Sequence, residues 1–422
     1  MHDDIRTILN RIAAEHGTPC YVYFLDQILR RAEDVEQAFE GRFAVSYAVK
    51  ANPNVELLRR LRPTVPMLDI SSGGELTRAL EAGYAPQELS FSGPAKRPEE
   101  LRRAGDLGCE VVCESTWEMD QLNRMAAERG EPLAVLIRIN PSRMPRKFGV
   151  GMAGRAGQFG IDEEELDPVL KQLERWRHLR LRGFHVYSGT NCLVPEAIGE
   201  NFAILIELFH RFCTAHSLRP EKLIFGSGFG IPYDGAEKPL CLDEVAAAVC
   251  PQIDAMKNNP LLSSAQCVLE MGRFLVGPAG YFLTSVVNEK RSRGMEIRMC
   301  DGGMNAHLGA CGLMGSVIRR NWPMWKVNAV GNQPTREYWL VGPLCTTIDT
   351  LAYQVQLPKL HRGDAIAIGS SGAYGLTASP TRFISHPEPR EYLVLGNGGG
   401  GEIVDISETR SPLMQEAFCD GA

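Results

Sequence analysis

Positive charge is scarce in this chain: 45 lysines and arginines stand against 51 aspartates and glutamates, a formal net charge of -6 at neutral pH. Polyanions need the opposite balance, so neither nucleic acid nor an anionic membrane is expected as a partner. There is no uninterrupted apolar run of membrane-spanning length, and the N-terminus, "MHDDIRTILNRIAAEHGTPCYVYFLD", is unlike a signal peptide. A cytoplasmic protein is expected. The 12 cysteines form no CxxC pair, and Cys109 and Cys113 stand four apart on a strand-like segment. That scatter predicts buried free thiols in a reducing compartment, with no disulfide framework and no metal site.

What is present suits a globular protein. A chain of 422 residues, 44% hydrophobic and 23% charged, has room for two domains or for one large barrel and an appendage. Eight apolar runs, "FAVSYAVK", "MLDISS", "ELSFSG", "CEVVCES", "LAVLIRIN", "LRGFHVYSG", "KLIFGSGFG" and "CVLEMGR", mostly alternate with helix-like stretches such as "SGGELTRALEAGY". That rhythm predicts an α/β fold, a (β/α)8 barrel over residues 25–275. Beyond residue 276, "GYFLTSVVNEKRSRGMEIRMCDGG", "REYWLVGP", "DAIAIGSSGAYG" and "EYLVLGNGG" read as short strands joined by turns. A β-rich domain is therefore expected over residues 276–422, with residues 1–24 joining it through "CYVYFLD" as an extra strand.

Reactive residues gather at the ends of the barrel strands. The first strand ends in Lys50, and a buried ammonium costs several kcal/mol unless it is paired or changes chemical state. At the barrel face where active sites form, such a lysine can hold a cofactor aldehyde; otherwise it snorkels to solvent. The sixth strand ends in His185, Ser188 and Gly189, and the seventh in "FGSGFGIPY", where Gly226, Gly228 and Gly230 let backbone amides approach a phosphate. The eighth ends in "LEMGR", whose Glu270 suits a protonated ring nitrogen and whose Arg273 suits a phosphate. A surface ion pair is the plainer reading of these two. Together with Lys50 and the glycine loop, that plainer reading needs several coincidences.

With these residues in hand, the sequence resembles the fold-type III pyridoxal-phosphate decarboxylases, typified by diaminopimelate and ornithine decarboxylases, from "GTPCYVY" to "GAYGLTASP". The resemblance implies an alanine-racemase-like barrel, pyridoxal 5'-phosphate as cofactor and a homodimer with shared sites. By it, Lys50 carries the cofactor, His185 stacks on the ring and Glu270 meets the ring nitrogen. Ser188, Gly226, Ser227, Gly228, Gly272, Arg273 and Tyr374 surround the phosphate. "GPLCTTID" then brings Cys345, the candidate acid that returns a proton to Cα, together with Thr346 and Asp349, from the partner subunit, and Arg273 also reaches the substrate.

Departures from the family pattern narrow the substrate. Thr346 stands where diaminopimelate decarboxylases have a glutamate, and "DGGMNAHLGACGLMG" has small or apolar residues where they carry an arginine and a tyrosine. "GVGMAGRAGQFGID", "VIRRNWPMW" and "GAYGLTASPTRFISHP" look like the branch holding the butirosin-pathway decarboxylase of glutamyl-acyl-carrier protein and the exosortase-associated decarboxylases. There the distal end of the amino acid can be conjugated. Arg291, Arg293, Arg319 and Arg320 can form a basic rim for an acidic carrier protein, or be plain solvated surface. The implied activity is α-decarboxylation of an L-amino acid or an amino-acyl conjugate. The rivals are diaminopimelate decarboxylase, a racemase of the same fold, which Glu270 disfavours, and a non-catalytic binding protein, which would be expected to lose Lys50 or Cys345.

Overall fold

The computed structural model describes residues 1–312, 320–329, 331, 333–396 and 400–408. The chain divides into two compact units, Ile28–Gly277 and Met1–Gln27 with Pro278–Ala422.

In the unit Ile28–Gly277, strands such as Glu110–Cys113 and Lys222–Gly226 are buried along their whole length. Such strands arise where one face looks into a closed barrel and helices cover the other. In chain order the eight are Ala44–Ala48, Met67–Ile70, Leu89–Phe91, Glu110–Cys113, Leu133–Asn140, Leu179–Val186, Lys222–Gly226 and Gln266–Met271. Each pairs in parallel with the next, and the eighth closes on the first at Val268↔Ala44, giving the expected barrel. Val112, Leu136, Ile224 and Val268 fill its interior, with Ala44 and Met67 against them. Serine N-caps start two of the outer helices: Ser72 Oγ accepts the Glu75 amide and Ser115 Oγ the Glu118 amide. Gly199 lets the helix Pro195–Ala215 lie close to Leu242–Lys257, since an added Cβ would stand 3.0 Å from Ala248 Cβ.

In the other unit, Cys20–Phe24 pairs antiparallel with Gly280–Ser292 and parallel with Arg390–Leu395, so "CYVYFLD" does supply an extra strand. The sheet continues through Met295–Cys300 and Thr335–Val341 to Thr350–Pro358. Ile8, Leu9 and Ile12 of the helix Asp3–His16 pack into its core with Val22, Leu283 and Val394. Among the described residues every cysteine is free, with Cys241 and Cys345 exposed. No helix among them is long and apolar enough to cross a membrane.

Candidate active site

Neighbouring residues in register on parallel strands point to the same face, so the pairings Ala48↔Asp69, Gly226↔Glu270 and Arg138↔His185 bring the side chains of Asp69, Glu270, Arg138 and His185 to one end of the barrel. Lys50 sits just past the first strand, in the turn Val49–Ala51. Its Nζ lies 2.8 Å from Asp69 Oδ2 and 3.5 Å from Glu270 Oε1. Glu270 Oε2 in turn lies 2.8 Å from His185 Nε2. The eighth strand turns at Gly272, where a Cβ would stand 2.9 Å from Ala51 Cβ and 3.2 Å from Ala48 O. A side chain there would push the two strand ends apart, and Glu270 away from Lys50.

The two carboxylates around Lys50 are driven in opposite directions. Burial, then the charge of Glu270, raise the pKa of Asp69, and the Lys50 ammonium only partly offsets them. Burial would raise Glu270 too, but the Lys50 charge and the His185 hydrogen bond outweigh it and hold this carboxylate well below the usual range. Glu270 is thus the lasting anion and Asp69 the group able to take a proton.

The barrel also contains two buried lysines, Lys96 and Lys222, and their surroundings differ from that of the more exposed Lys50. Lys96 is anchored: its Nζ donates to the carbonyls of Gly93 at 2.6 Å and Val112 at 3.0 Å and pairs with Glu118 at 3.1 Å. Lys222 starts the seventh strand, at the opposite end of the barrel, and pairs with Glu110 at 2.7 Å. The Lys50 side chain keeps 40% of its surface exposed, against 1% for Lys96. Only Lys50 of these three combines a charged cluster with room to react.

The family described as "Pyridoxal-dependent decarboxylase, pyridoxal binding domain" matches residues 25–277. The chain belongs to the pyridoxal-dependent decarboxylases. It is 30% identical over 401 residues to the L-glutamyl-[BtrI acyl-carrier protein] decarboxylase of Niallia circulans, covering 94% of this chain and 93% of that one. It is 26% identical over 404 residues to the 2-[(L-alanin-3-ylcarbamoyl)methyl]-2-hydroxybutanedioate decarboxylase of Staphylococcus aureus, covering 93% and 98%. Among solved structures, diaminopimelate decarboxylase from M. jannaschii in complex with L-lysine superposes with a TM-score of 0.84 at 25% identity, over 95% of this chain and 92% of that one.

Pyridoxal 5'-phosphate, the cofactor of this family, needs an amine, an anion for its ring nitrogen and donors for its phosphate. The residues fit it. The Ser188 hydroxyl and His185 Nδ1, both buried, have no protein partner among the described residues. Arg273 opens a short helix just after Gly272, and its Nη1 donates to Tyr233 Oη at 2.5 Å. The Ser227 amide donates to the Glu270 carbonyl at 3.1 Å, tying the seventh strand end to the eighth.

The glycine loop departs from expectation. Gly230 gives its amide to the Cys192 carbonyl at 2.8 Å, so that amide does not face a phosphate. Packing explains the other two: a Cβ on Gly226 would stand 2.4 Å from Tyr187, and one on Gly228, at φ +64°, 2.5 Å from Phe148.

In the other unit, Cys345 is exposed and Thr346 half-buried, while Tyr374 holds a positive φ of +53°. Asp349, expected as a substrate contact, turns inward instead. It is buried, and its two oxygens accept the amides of Met304 at 2.6 Å and Leu344 at 2.7 Å, so it shapes the loop carrying Cys345. The expected basic rim divides as well. Asn321, next to Arg320, exchanges hydrogen bonds with the backbone of Tyr353 on the strand Thr350–Pro358, and two strands lie between that one and the strand Gly280–Ser292 that carries Arg291; Arg319 lies outside the described residues.

Sequence reasoning missed Asp69, Tyr233 and the buried pair Arg138–Glu114, 2.9 Å apart. Asp69 had the same signal as Lys50, one charge at the end of an apolar run. Glu114 accepts the amides of Gly93 and Gly160 and the Arg138 guanidinium, and so ties three strand ends together.

Proposed function

We propose that this chain is a pyridoxal-phosphate-dependent α-decarboxylase of an L-amino acid whose distal end is conjugated, with Lys50 as the residue that holds the cofactor. The observation that carries the proposal is the chain of contacts Asp69–Lys50–Glu270–His185 at the mouth of the barrel. When bound, the cofactor supplies the electron sink for carbon–carbon cleavage. The protein supplies position and charge. Glu270, held as an anion, would favour a protonated ring nitrogen; Asp69 would take a proton from the Lys50 ammonium, freeing its amine; His185, hydrogen-bonded to Glu270, would help hold the ring. Arg273, steadied by Tyr233, and the Ser188 hydroxyl would bind the phosphate, with Gly226, Ser227, Gly228 and Gly272 around it. Cys345 delivers a proton to Cα from the partner subunit of a homodimer.

Two features support a conjugated substrate. The described residues that follow "DGGMN", 306–312, offer no charge for a distal group: Ala306, His307 and Ala310 are buried, burial lowers the His307 pKa to about 3, and Gly309 has the Trp322 ring 3.2 Å from where a Cβ would stand. Both relatives described above bear names of conjugates, one an L-glutamyl group on an acyl-carrier protein and the other a carbamoyl-linked alanine. A site without buried charges for a distal ammonium gains little from a free diamino acid. Diaminopimelate decarboxylation is the second reading, favoured by the structural likeness.

Carbon dioxide release from glutamyl-carrier protein, meso-diaminopimelate, ornithine and lysine at equal concentration separates them. The conjugate is expected to have the highest kcat/KM. A preference of about tenfold or more for free diaminopimelate, about 1.4 kcal/mol, overturns the conjugate reading.

A further inference from the structure

One end of the sheet in the unit Met1–Gln27 with Pro278–Ala422 is strongly basic, on a chain whose net charge is -6. The strands Gly280–Ser292 and Met295–Cys300 are joined by two residues, Arg293 and Gly294, with φ of +50° and +87°. Such a two-residue turn with both φ positive is strain-free with Asn, Asp or Gly at its first position. Arginine there sets a cation at the tip against the conformational preference of the backbone.

Lys290, Arg291 and Arg293 are exposed and have no ion pair among the described residues. The acids beside them are already engaged. Arg298, buried, pairs with Glu289 at 3.4 Å and Glu296 at 3.3 Å. It is fixed in turn by donating to the Leu360 carbonyl at 3.0 Å and by the Tyr338 ring 4.7 Å away. The pairings Ile297↔Trp339 and Arg336↔Leu357 bring two more exposed cations, Arg336 and Lys359, to the same end of the sheet. Glu337 is an exposed acid among them with no ion pair among the described residues, whereas the exposed Glu289 is held by Arg298.

We infer that this sheet end docks an acidic carrier protein, the body that presents the amino-acyl group in the function proposed above, on which this inference rests. A tethered substrate enters the site alone, so recognition of its carrier belongs on a surface outside the catalytic residues. Cations with no ion pair among the described residues meet an anionic surface without first breaking one. The acidic remainder of the molecule repels the same partner and confines contact to this end.

The test uses the cofactor-loaded enzyme, an acidic acyl-carrier protein charged with a glutamyl thioester, and a short glutamyl thioester lacking the protein body. Binding of the carrier is expected to weaken with salt. The variant K290E/R291E/R293E is expected to raise KM for the carrier-linked substrate about tenfold or more, leaving turnover of the short thioester unchanged. R293N suits the turn better, so it is expected to keep or raise Tm while weakening carrier binding about threefold, which no folding defect would do. Carrier-linked turnover that is identical in wild type and both variants overturns the docking surface and leaves the function standing. If neither thioester is decarboxylated, the function falls and the docking surface with it. Single-stranded RNA that binds this end as tightly as the carrier, with the same salt dependence, replaces the carrier with a polynucleotide.

Discussion

Two carboxylates face one lysine, and their opposite shifts divide the labour between them. Glu270→Gln keeps the volume and removes the anion. Cofactor binding is expected to change only a few-fold, while kcat falls about a hundredfold or more, because the lost charge acts where positive charge must be held on the ring. Near-normal kcat in this variant would remove Glu270 from that role. Asp69, with its raised pKa, takes a proton before Glu270 as pH falls. The acid limb of kcat/KM is therefore expected to follow Asp69 and to flatten in Asp69→Asn; an unchanged limb assigns it to another group. Lys50 was legible in the sequence because a charge stood out at the end of an apolar run. Asp69 was equally visible and was read as part of the run. Tyr233 gave no signal, since a loop tyrosine has no periodicity and its partner Arg273 lies 40 residues away in the chain.

Among the elements, the barrel strands were the most legible. Most are apolar runs bounded by turn residues and buried along much of their length, Leu179–Val186 with its exposed Arg180 being the least regular. The edge strand Thr350–Pro358 was not, because its exposed Tyr353, Gln354 and Gln356 break the apolar pattern and Gln354 takes a positive φ of +54° at an irregular register. His307 shows another limit of reading by spacing. It looked like one of several small or uncharged positions, yet it is enclosed by Tyr21, Phe282 and Trp322, with Nε2 donating to Ser371 Oγ at 2.9 Å and Nδ1 accepting the Ala310 amide at 3.2 Å. Burial lowers its pKa to about 3, from an ordinary 6.5. Between those values the unfolded chain binds a proton that the folded one refuses. His307 thus favours the fold fully above pH 6.5, and stability is lost as pH falls toward 3, by about 1.4 kcal/mol per pH unit. Denaturant titrations across that range are expected to show this slope and its flattening in His307→Gln; an unchanged slope contradicts a neutral buried imidazole.

At the scale of the whole molecule, Lys50 and Cys345 are proposed to serve one site supplied by two subunits. Inactive Lys50→Ala mixed with inactive Cys345→Ala is expected to recover up to about a quarter of wild-type activity, because each mixed dimer regains one complete site. No recovery after verified subunit exchange places both residues in the same chain's site. Everything else depends on Lys50 holding the cofactor, and the barrel itself supplies the control, since Lys96 lies buried and anchored by Glu118 and two carbonyls. Borohydride reduction of the cofactor-loaded enzyme, followed by mass mapping of every lysine peptide, tests this most directly. The account predicts a pyridoxyl label on Lys50 alone, lost in Lys50→Ala; a label on Lys96 or any other lysine, or one retained at wild-type level in Lys50→Ala, would contradict it.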